Sequence, residues 1–228
     1  MRQSALTSRG VRLSDFSHVI FDLDGVLLDT EKLYTQATQA VVGEFGKIFD
    51  WGLKSQMMGR HELDAARLLV ATLELPISAE EYLQRQLPIA QQLFRVATEV
   101  PGAEAFVRGL HDNGQVLAVG TSSTLALFEL KTGHHPWFSL FSAVVSGDHP
   151  DVRALKPAPD IFLAAARAIS AKPAHCLVLE DSPAGVSAAR AAGMAVIAIP
   201  DAALPDARFA EADLIVRSYA ELRERLSG

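Results

Sequence analysis

The sequence predicts an α/β fold: a doubly wound, Rossmann-like parallel sheet core with a small all-α domain inserted after the first strand. Two patterns indicate this fold. From about residue 102 onward, short apolar runs typical of buried parallel strands alternate with helical segments. Residues from about 33 to 98 lack such runs and are rich in Ala, Leu, Gln, Glu and Arg, which favour helices. We therefore assign residues 18–32 and 99–228 to the α/β core, 33–98 to the helical domain and 1–17 to a polar N-terminal tail.

The strand predictions come from apolar runs, taken in chain order. The first run, Val19 to Phe21, breaks at Asp22. The later runs lie at residues 116–120, 143–145, 176–179, 195–199 and 214–216. Their spacing leaves room for a helix between successive strands, which favours a parallel sheet covered on both faces.

The helix predictions rest on recognisable ends. One helix follows Pro101-Gly102 and stops near Asn113-Gly114, and another spans residues 160–170. A third opens at Ser182-Pro183 and ends at Gly193, with proline near its start and glycine past its end. In the inserted domain, apolar residues recur at the helical spacing 63, 66, 69, 70 and 73.

Composition narrows the classes of protein to which the chain can belong. The 228 residues are 49% hydrophobic and carry a net charge of −6, enough apolar content for a large core and a small second domain. No run of Lys and Arg is present, so nucleic acid is not an expected partner. No apolar stretch approaches the length of a membrane span, and the first 17 residues lack the apolar region of a signal peptide. A cytoplasmic protein that binds no membrane and is a monomer is the default expectation.

Two carboxylates follow the first predicted strand. Asp22 and Asp24 come directly after its apolar run, and Gly25 ends the pattern. Because side chains alternate along a strand, both carboxylates are expected on the same side of its C-terminal end, the edge where open α/β sheets bind ligands. Two such carboxylates on a buried strand are destabilising through desolvation and mutual repulsion. The pattern therefore predicts a cation site that takes part in chemistry.

Polar residues also follow three of the later strands: Thr121 and Ser122, then Lys156, then Glu180 and Asp181. Taken singly, each has a plain structural explanation as a helix cap, a solvated loop charge or an acidic helix N-terminus. In a doubly wound sheet, however, the C-terminal strand ends share one crevice. Four carboxylates and one ammonium there leave an excess of negative charge, which a hard dication such as Mg²⁺ would balance. A carboxylate beside Mg²⁺, a lysine and a hydroxyl suits phosphoryl transfer, with the carboxylate as nucleophile.

The order of these motifs resembles the haloacid dehalogenase superfamily. The family's four motifs match D-x-D-G-V, T-S after an apolar run, K-P-x-P-D and E-D-S in this sequence. The helical insertion is similar to the α-helical cap of the family. The resemblance implies that Asp22 is the nucleophile that becomes an aspartyl-phosphate. It also implies that Asp24 is the general acid and base and offers its backbone carbonyl to Mg²⁺.

The resemblance implies roles for the later motifs as well. Thr121 would hydrogen-bond the phosphoryl group, and Lys156 would steady the nucleophile and the phosphate. Asp181 would ligate the metal together with Asp22 and Asp24. Glu180 would act behind these ligands or through water.

The resemblance narrows the reaction further. Dehalogenases of the family lack the second aspartate of the first motif, so the presence of Asp24 implies phosphate-ester chemistry. Members similar to β-phosphoglucomutase carry His where this sequence has Tyr34, which argues against a mutase. The segments D-T-E-K-L-Y, M-M-G-R and G-D-H-P-D-V look like the branch that includes pseudouridine-5′-phosphatase and glycerol-3-phosphatase-like enzymes.

The expected function is Mg²⁺-dependent hydrolysis of a small phosphorylated metabolite, with pseudouridine-5′-phosphate as the first choice. The alternatives are a glycerol-3-phosphate or sugar-phosphate phosphatase, a β-phosphoglucomutase-like mutase, and a non-catalytic binding or regulatory module. Substrate contacts are predicted from Ser122, Tyr34, Gly59 and Arg60. Arg60 can reach a phosphate or hydroxyl, although a solvent-exposed turn explains Gly59-Arg60 equally well. Tyr34 either lines the pocket or packs within the helical domain.

Overall fold

The computed structural model describes residues 11–58 and 62–226, which form two compact units. The α/β unit comprises the described residues up to Leu28 and from Glu99 onward, and the helical unit comprises Asp29–Thr98. Residues 29–32, expected in the core, therefore group with the helical unit. At the N-terminal end, Phe16 is buried, so the polar segment stops before this residue.

Six parallel strands form the sheet in the described part of the α/β unit: β1 (His18–Phe21), β2 (Val116–Gly120), β3 (Ala143–Val145), β4 (Cys176–Glu180), β5 (Ala195–Ala198) and β6 (Leu214–Ile215). Their order is β3-β2-β1-β4-β5-β6, that of a doubly wound Rossmann-like sheet. Phe21 of β1 pairs with Val119 of β2 on one side and with Leu179 of β4 on the other. The direction of winding reverses between β1 and β4. A ligand crevice is therefore expected at the carboxyl ends of these two strands.

The helical unit contains α1 (Glu31–Gly43), α2 (Trp51–Met57), α3 (Glu62–Thr72) and α4 (Ala79–Phe94). Its core includes Val41, Leu69 and Tyr82, all fully buried. The side chains of Asp50 and Ser78 begin α2 and α4, because each accepts a hydrogen bond from the backbone amide three residues later.

Further helices cover the sheet of the α/β unit: α5 (Ala103–Asp112), α6 (Leu125–Thr132), α7 (Asp160–Ala168), α8 (Pro183–Ala191) and α9 (Tyr219–Leu226). Thr124 and Ser182 cap α6 and α8 through their hydroxyl groups. These two helices begin shortly after the carboxyl ends of β2 and β4, so their first turns border the expected crevice. None of the helices in the described ranges is long and apolar enough to cross a membrane.

The predicted fold class is confirmed, with differences at the ends of elements. β1 ends at Phe21, so Asp22 and Asp24 belong to the loop beyond it and strand alternation does not determine where they point. The helix predicted for residues 160–170 ends at Ala168. Its end is earlier because Ser170 adopts a left-handed backbone conformation with φ of 55°, which a helix cannot accommodate.

The loop after β1 is anchored by α9. The hydroxyl of the buried Tyr219 donates a hydrogen bond to the backbone carbonyl of Val26 at 3.0 Å. The Tyr219 ring also contacts Phe106, with ring centroids 5.3 Å apart. Because the same loop carries Asp22 and Asp24, helix α9 supports two of the predicted site residues.

We expect Tyr219→Phe to lower the free energy of unfolding by about 1–3 kcal/mol, because it removes the donor to a buried carbonyl. Tyr219→Leu also removes the ring contact with Phe106 and should be more destabilising. Urea unfolding followed by circular dichroism measures both changes. Equal stability of Tyr219→Phe and the wild type would show that this hydrogen bond does not stabilise the loop.

Candidate active site

Polar side chains gather at the carboxyl edge of β1, β2 and β4. Asp22 follows β1, Thr121 follows β2, and Glu180 is the last residue of β4. All three residues are buried. Lys156 reaches Asp22 and Glu180 from the loop between β3 and α7. The structure therefore brings these four predicted residues to one edge of the sheet.

Lys156 links the ends of three strands. Its ammonium donates hydrogen bonds to the carboxylate of Asp22, to that of Glu180 at 2.7 Å, and to the carbonyl of Gly120 at 3.1 Å. The side chain is 6% exposed, and its Nζ lies 4.6 Å from the centre of the Phe162 ring. The predicted nucleophile is thus held by a lysine that solvent scarcely reaches.

Burial and neighbouring charge shift the pKa values at this edge. Burial raises the pKa of Asp22 to about 7, because desolvation and the negative charges of Glu180 and Asp24 together outweigh the attraction of Lys156. Burial alone would lower the pKa of Lys156, but the charges of Asp22 and Glu180 raise it above its usual value. An acid whose pKa is higher in the folded than in the unfolded state destabilises the fold when it ionises. Ionised Asp22 is therefore better explained by function than by stability.

Asp24 is paired with a second buried lysine, Lys131 of α6. The Lys131 ammonium, fully buried, donates to the two carboxylate oxygens of Asp24 at 2.6 and 2.9 Å. The hydroxyl of Ser123 donates to the same carboxylate at 3.0 Å and accepts from Lys131 at 3.0 Å. Each of the two loop aspartates therefore has its own lysine.

Neither Lys131 nor Ser123 is among the site residues predicted from the sequence. A lysine in a helix is ordinarily a solvated surface residue. The available signal is positional: Lys131 lies between the buried residues Phe128 and Thr132 on the inward face of α6. A charged residue on the buried face of a short helix needs a partner of opposite charge.

Glu180 organises the start of α8. Its Oε2 accepts hydrogen bonds from the backbone amides of Asp181 and Ser182, both at 2.9 Å, and from the Ser182 hydroxyl at 3.0 Å. Its Oε1 accepts from Lys156. A Cβ atom on Gly185 would lie 1.7 Å from Oε1, so the carboxylate needs glycine at this position. Both carboxylate oxygens of Glu180 thus accept hydrogen bonds within the protein, and its role behind the metal ligands stays a prediction.

Asp181 lies against the loop that follows β1. A Cβ atom on Gly25 would be 2.1 Å from Oδ2 of Asp181. Gly25 also has φ of +80°, a conformation that favours glycine. The carboxylate of Asp181 therefore lies next to the backbone that follows Asp24.

The oxygen donors of this edge fit a hard dication. Four carboxylates, those of residues 22, 24, 180 and 181, meet two lysines, which leaves two negative charges in excess. Within residues 11–58 and 62–226, no group of three or more His, Cys, Asp or Glu side chains is placed so that it could hold a metal ion. Mg²⁺ commonly completes its coordination with water, substrate oxygens and few protein carboxylates. The donor set therefore suits Mg²⁺ better than a metal that requires an all-protein cage.

The Thr121 and Ser122 side chains have different surroundings. Thr121 is buried, and its hydroxyl accepts a hydrogen bond from the amide of Ser123 at 3.0 Å. Ser122 is exposed. The predicted contacts of both residues with a phosphoryl group and substrate stay predictions.

Tyr34 is the predicted substrate residue of the helical unit that the structure describes, whereas Gly59 and Arg60 lie outside the described residues. The half-buried Tyr34 ring meets Phe94 edge-on, with centroids 4.9 Å apart. Tyr34 also lines a cavity of about 320 Å³ within the helical unit. The other polar residues that line the same cavity are Glu31, Thr35, Thr38, Lys54, Glu62, Tyr82 and Gln86. Tyr34 therefore both packs within the unit and borders a cavity.

Comparison with known proteins gives consistent matches. A family model described as haloacid dehalogenase-like hydrolase matches residues 16–193. The chain is 42% identical to "Probable pseudouridine-5'-phosphatase" of Drosophila melanogaster over 220 residues, and this match covers 95% of each protein. The chain is also 42% identical to "(DL)-glycerol-3-phosphatase 1, mitochondrial" of Arabidopsis thaliana over 213 residues. This match covers 91% of this chain and 72% of that protein. The crystal structure of a HAD family hydrolase from Deinococcus radiodurans R1, with bound phosphate and sodium, has a TM-score of 0.77 and 26% identity, and the match covers 93% of this chain and 96% of that chain.

We expect Gly185→Ala to lower the free energy of unfolding by about 2 kcal/mol or more, because its methyl group would displace Glu180 and disturb the pair with Lys156. Gly109→Ala is the matched control. Gly109 is also in a helix, and no atom would lie within 4 Å of its added Cβ. That control should raise the free energy of unfolding by about 0.5–1 kcal/mol. Urea unfolding distinguishes the two variants, and a stabilising effect of Gly185→Ala would contradict the proposed contact with Glu180.

Proposed function

We propose that this chain, which belongs to the haloacid dehalogenase-like hydrolases and is a phosphatase, hydrolyses a small phosphomonoester with Asp22 as nucleophile and Mg²⁺ as cofactor. The observation that carries the proposal is the separate pairing of Asp22 with Lys156 and of Asp24 with Lys131. A nucleophilic carboxylate and a second carboxylate for proton transfer are what hydrolysis of an ester needs, because the departing alkoxide must be protonated.

In the first step, a carboxylate oxygen of Asp22 attacks phosphorus in line with the ester oxygen. The bond from phosphorus to Asp22 forms while the bond to the ester oxygen breaks. Asp24, which takes up a proton from solvent before this step, gives that proton to the departing alkoxide. Lys156 holds Asp22 in place and keeps positive charge beside the reacting phosphoryl group. Thr121, buried at the end of β2, would donate its hydroxyl proton in a hydrogen bond to a phosphoryl oxygen.

In the second step, water attacks the aspartyl-phosphate. Asp24 accepts a proton from this water as its oxygen bonds to phosphorus. The bond between phosphorus and Asp22 then breaks, which releases inorganic phosphate and restores both carboxyl groups. When bound, Mg²⁺ held by Asp22, Asp181 and the backbone carbonyl of Asp24 would supply positive charge to offset that of the phosphoryl oxygens.

For the substrate, we propose pseudouridine-5′-phosphate, with glycerol-3-phosphate or a sugar phosphate as alternatives. The names of the relatives at 42% identity support both of the first two compounds. The cavity of about 320 Å³ in the helical unit is near the lower end of the range for ligand pockets, which favours a small leaving group. We propose that the helical unit acts as a cap and that Tyr34 contributes to selection. The expectations of a monomer and of a cytoplasmic location stay predictions.

We expect Asp22→Asn to lower Mg²⁺-dependent phosphate release by on the order of 10³-fold or more, because the amide cannot act as the nucleophile. Release of p-nitrophenol from p-nitrophenyl phosphate measures the loss. Asp112→Asn, which alters an aspartate with a 79% exposed side chain, is the matched control and should retain wild-type activity. Full activity of Asp22→Asn would refute the proposed nucleophile.

We expect removal of divalent cations with EDTA to abolish turnover and added Mg²⁺ to restore it, because the carboxylate edge carries two uncompensated negative charges. The wild type should also show a higher Tm with Mg²⁺ than with EDTA, since a ligand that binds the folded state stabilises it. Thermal unfolding of the wild type and of Asp181→Asn, which should lose most of this stabilisation, measures the effect. Undiminished turnover in EDTA would contradict the proposed cofactor.

We expect kcat/KM to be highest for pseudouridine-5′-phosphate when it is compared with uridine-5′-phosphate, glycerol-3-phosphate and several hexose phosphates. The measurement is phosphate release under initial-rate conditions with each compound. A preference for glycerol-3-phosphate or one sugar phosphate would select the corresponding alternative. Isomerisation of a hexose phosphate without phosphate release would contradict the hydrolase and revive the mutase.

A further inference from the structure

Lys131 holds Asp24 in a way that fold stability does not explain. Its side chain is fully buried, and the ammonium donates to both carboxylate oxygens of Asp24 and to the hydroxyl of Ser123. Transfer of a lysine ammonium and a carboxylate out of water is unfavourable, and apolar replacements of similar volume often stabilise a fold as well or better. The pair is therefore weak evidence for a stabilising role and needs another explanation.

The geometry keeps the two loop aspartates apart. Lys156 reaches Asp22 from the loop before α7, whereas Lys131 reaches Asp24 from α6. Lys131 donates two hydrogen bonds to the carboxylate of Asp24, and Ser123 donates one. Because Lys131 contacts both oxygens, rotation of the carboxylate is restricted. Without these contacts, the carboxylate could rotate toward the positive charge of Lys156 or toward a bound cation.

We infer that Lys131, assisted by Ser123, is a positioning residue that holds the carboxyl group of Asp24 where it exchanges protons with the leaving oxygen and with water. This inference rests on the proposed function. Lys131 remains an ammonium throughout the cycle: the proton given to the alkoxide comes from Asp24, and the proton taken from water returns to Asp24. Lys131 itself touches neither substrate nor the reacting phosphorus in this role.

The role predicts a dependence on the leaving group. An alkyl phosphate needs a proton on its leaving oxygen, whereas 2,4-dinitrophenolate leaves without one. We expect Lys131→Met to lower kcat/KM by about 100-fold for pseudouridine-5′-phosphate or glycerol-3-phosphate, whichever the wild type hydrolyses faster. For 2,4-dinitrophenyl phosphate, we expect a loss of less than about threefold, because kcat/KM reports only the steps up to departure of the leaving group. Equal losses for both kinds of substrate would overturn the inference.

A double-mutant cycle separates positioning from a general structural effect. If Lys131 acts through Asp24, then Lys131→Met should lower alkyl-phosphate kcat/KM by less than about threefold in an Asp24→Asn background, against about 100-fold in the wild-type background. An equal loss in both backgrounds would show that Lys131 does not act through Asp24. Asp24→Asn also removes the charge that Lys131 neutralises, so circular dichroism of all four proteins identifies changes in folding.

Ser123→Ala keeps the test decisive if Lys131→Met does not fold. This variant removes one hydrogen bond to Asp24 and leaves the ion pair in place. It should show the same selectivity for alkyl over dinitrophenyl phosphate, with a loss of about 3–10-fold. Equal activity of Ser123→Ala and the wild type on both substrates would refute the role of Ser123, and a uniform loss would refute the positioning role as a whole. Failure of the proposed function would appear differently, as a wild-type protein without phosphatase activity on any of these compounds in Mg²⁺.

Discussion

One electrostatic constraint shapes the site: two aspartates, the buried Asp22 and the half-buried Asp24, are two residues apart on a single loop. Like charges so close together repel each other, and a counter-charge beside each of them reduces that repulsion. The structure supplies two, Lys156 from a loop and Lys131 from a helix. Each carboxylate therefore has its own counter-charge, and the two counter-charges come from different elements of the fold.

The same crowding explains the glycines of the site. Gly25 lets the carboxylate of Asp181 approach the backbone next to Asp24, and Gly185 lets Glu180 lie over the first turn of α8. Glu180 in turn accepts from two backbone amides and from Lys156. Because these carboxylates lie so close to the backbone, their positions are fixed and the side chains have little freedom to move. Rigid donors need little reorganisation as charge moves during phosphoryl transfer, and such preorganisation lowers the barrier.

The parallel sheet and its ligand-binding edge could be predicted from the sequence, because buried parallel strands are apolar and the residues after them are polar. Asp22 and Glu180 stand out for that reason. Lys131 does not, because its position depends on which face of α6 is buried. The end of a helix also depends on local backbone conformation. The left-handed conformation of Ser170 decides where α7 ends, and a serine in the sequence is not a strong signal for that conformation. The sequence shows which polar residues follow the strands. Identifying the side chains that reach the site from helices requires the packed structure.

The helical unit differs from this rigid edge in the kind of hydrogen bonds it offers. In its cavity, Gln86 donates to the Thr38 hydroxyl at 2.8 Å, and this hydroxyl lies 2.9 Å from that of Tyr82. Hydroxyl groups can reverse their donor and acceptor roles, whereas the carboxylates and ammonium groups of the α/β unit cannot do so without changing their charge. The same cavity is also lined by the charged residues Glu31, Lys54 and Glu62, and Lys54 lies 3.3 Å from the carboxylate of Glu31. The α/β edge is therefore dominated by buried carboxylate–ammonium pairs, whereas the cavity of the helical unit also offers hydroxyl groups whose hydrogen-bond roles can reverse.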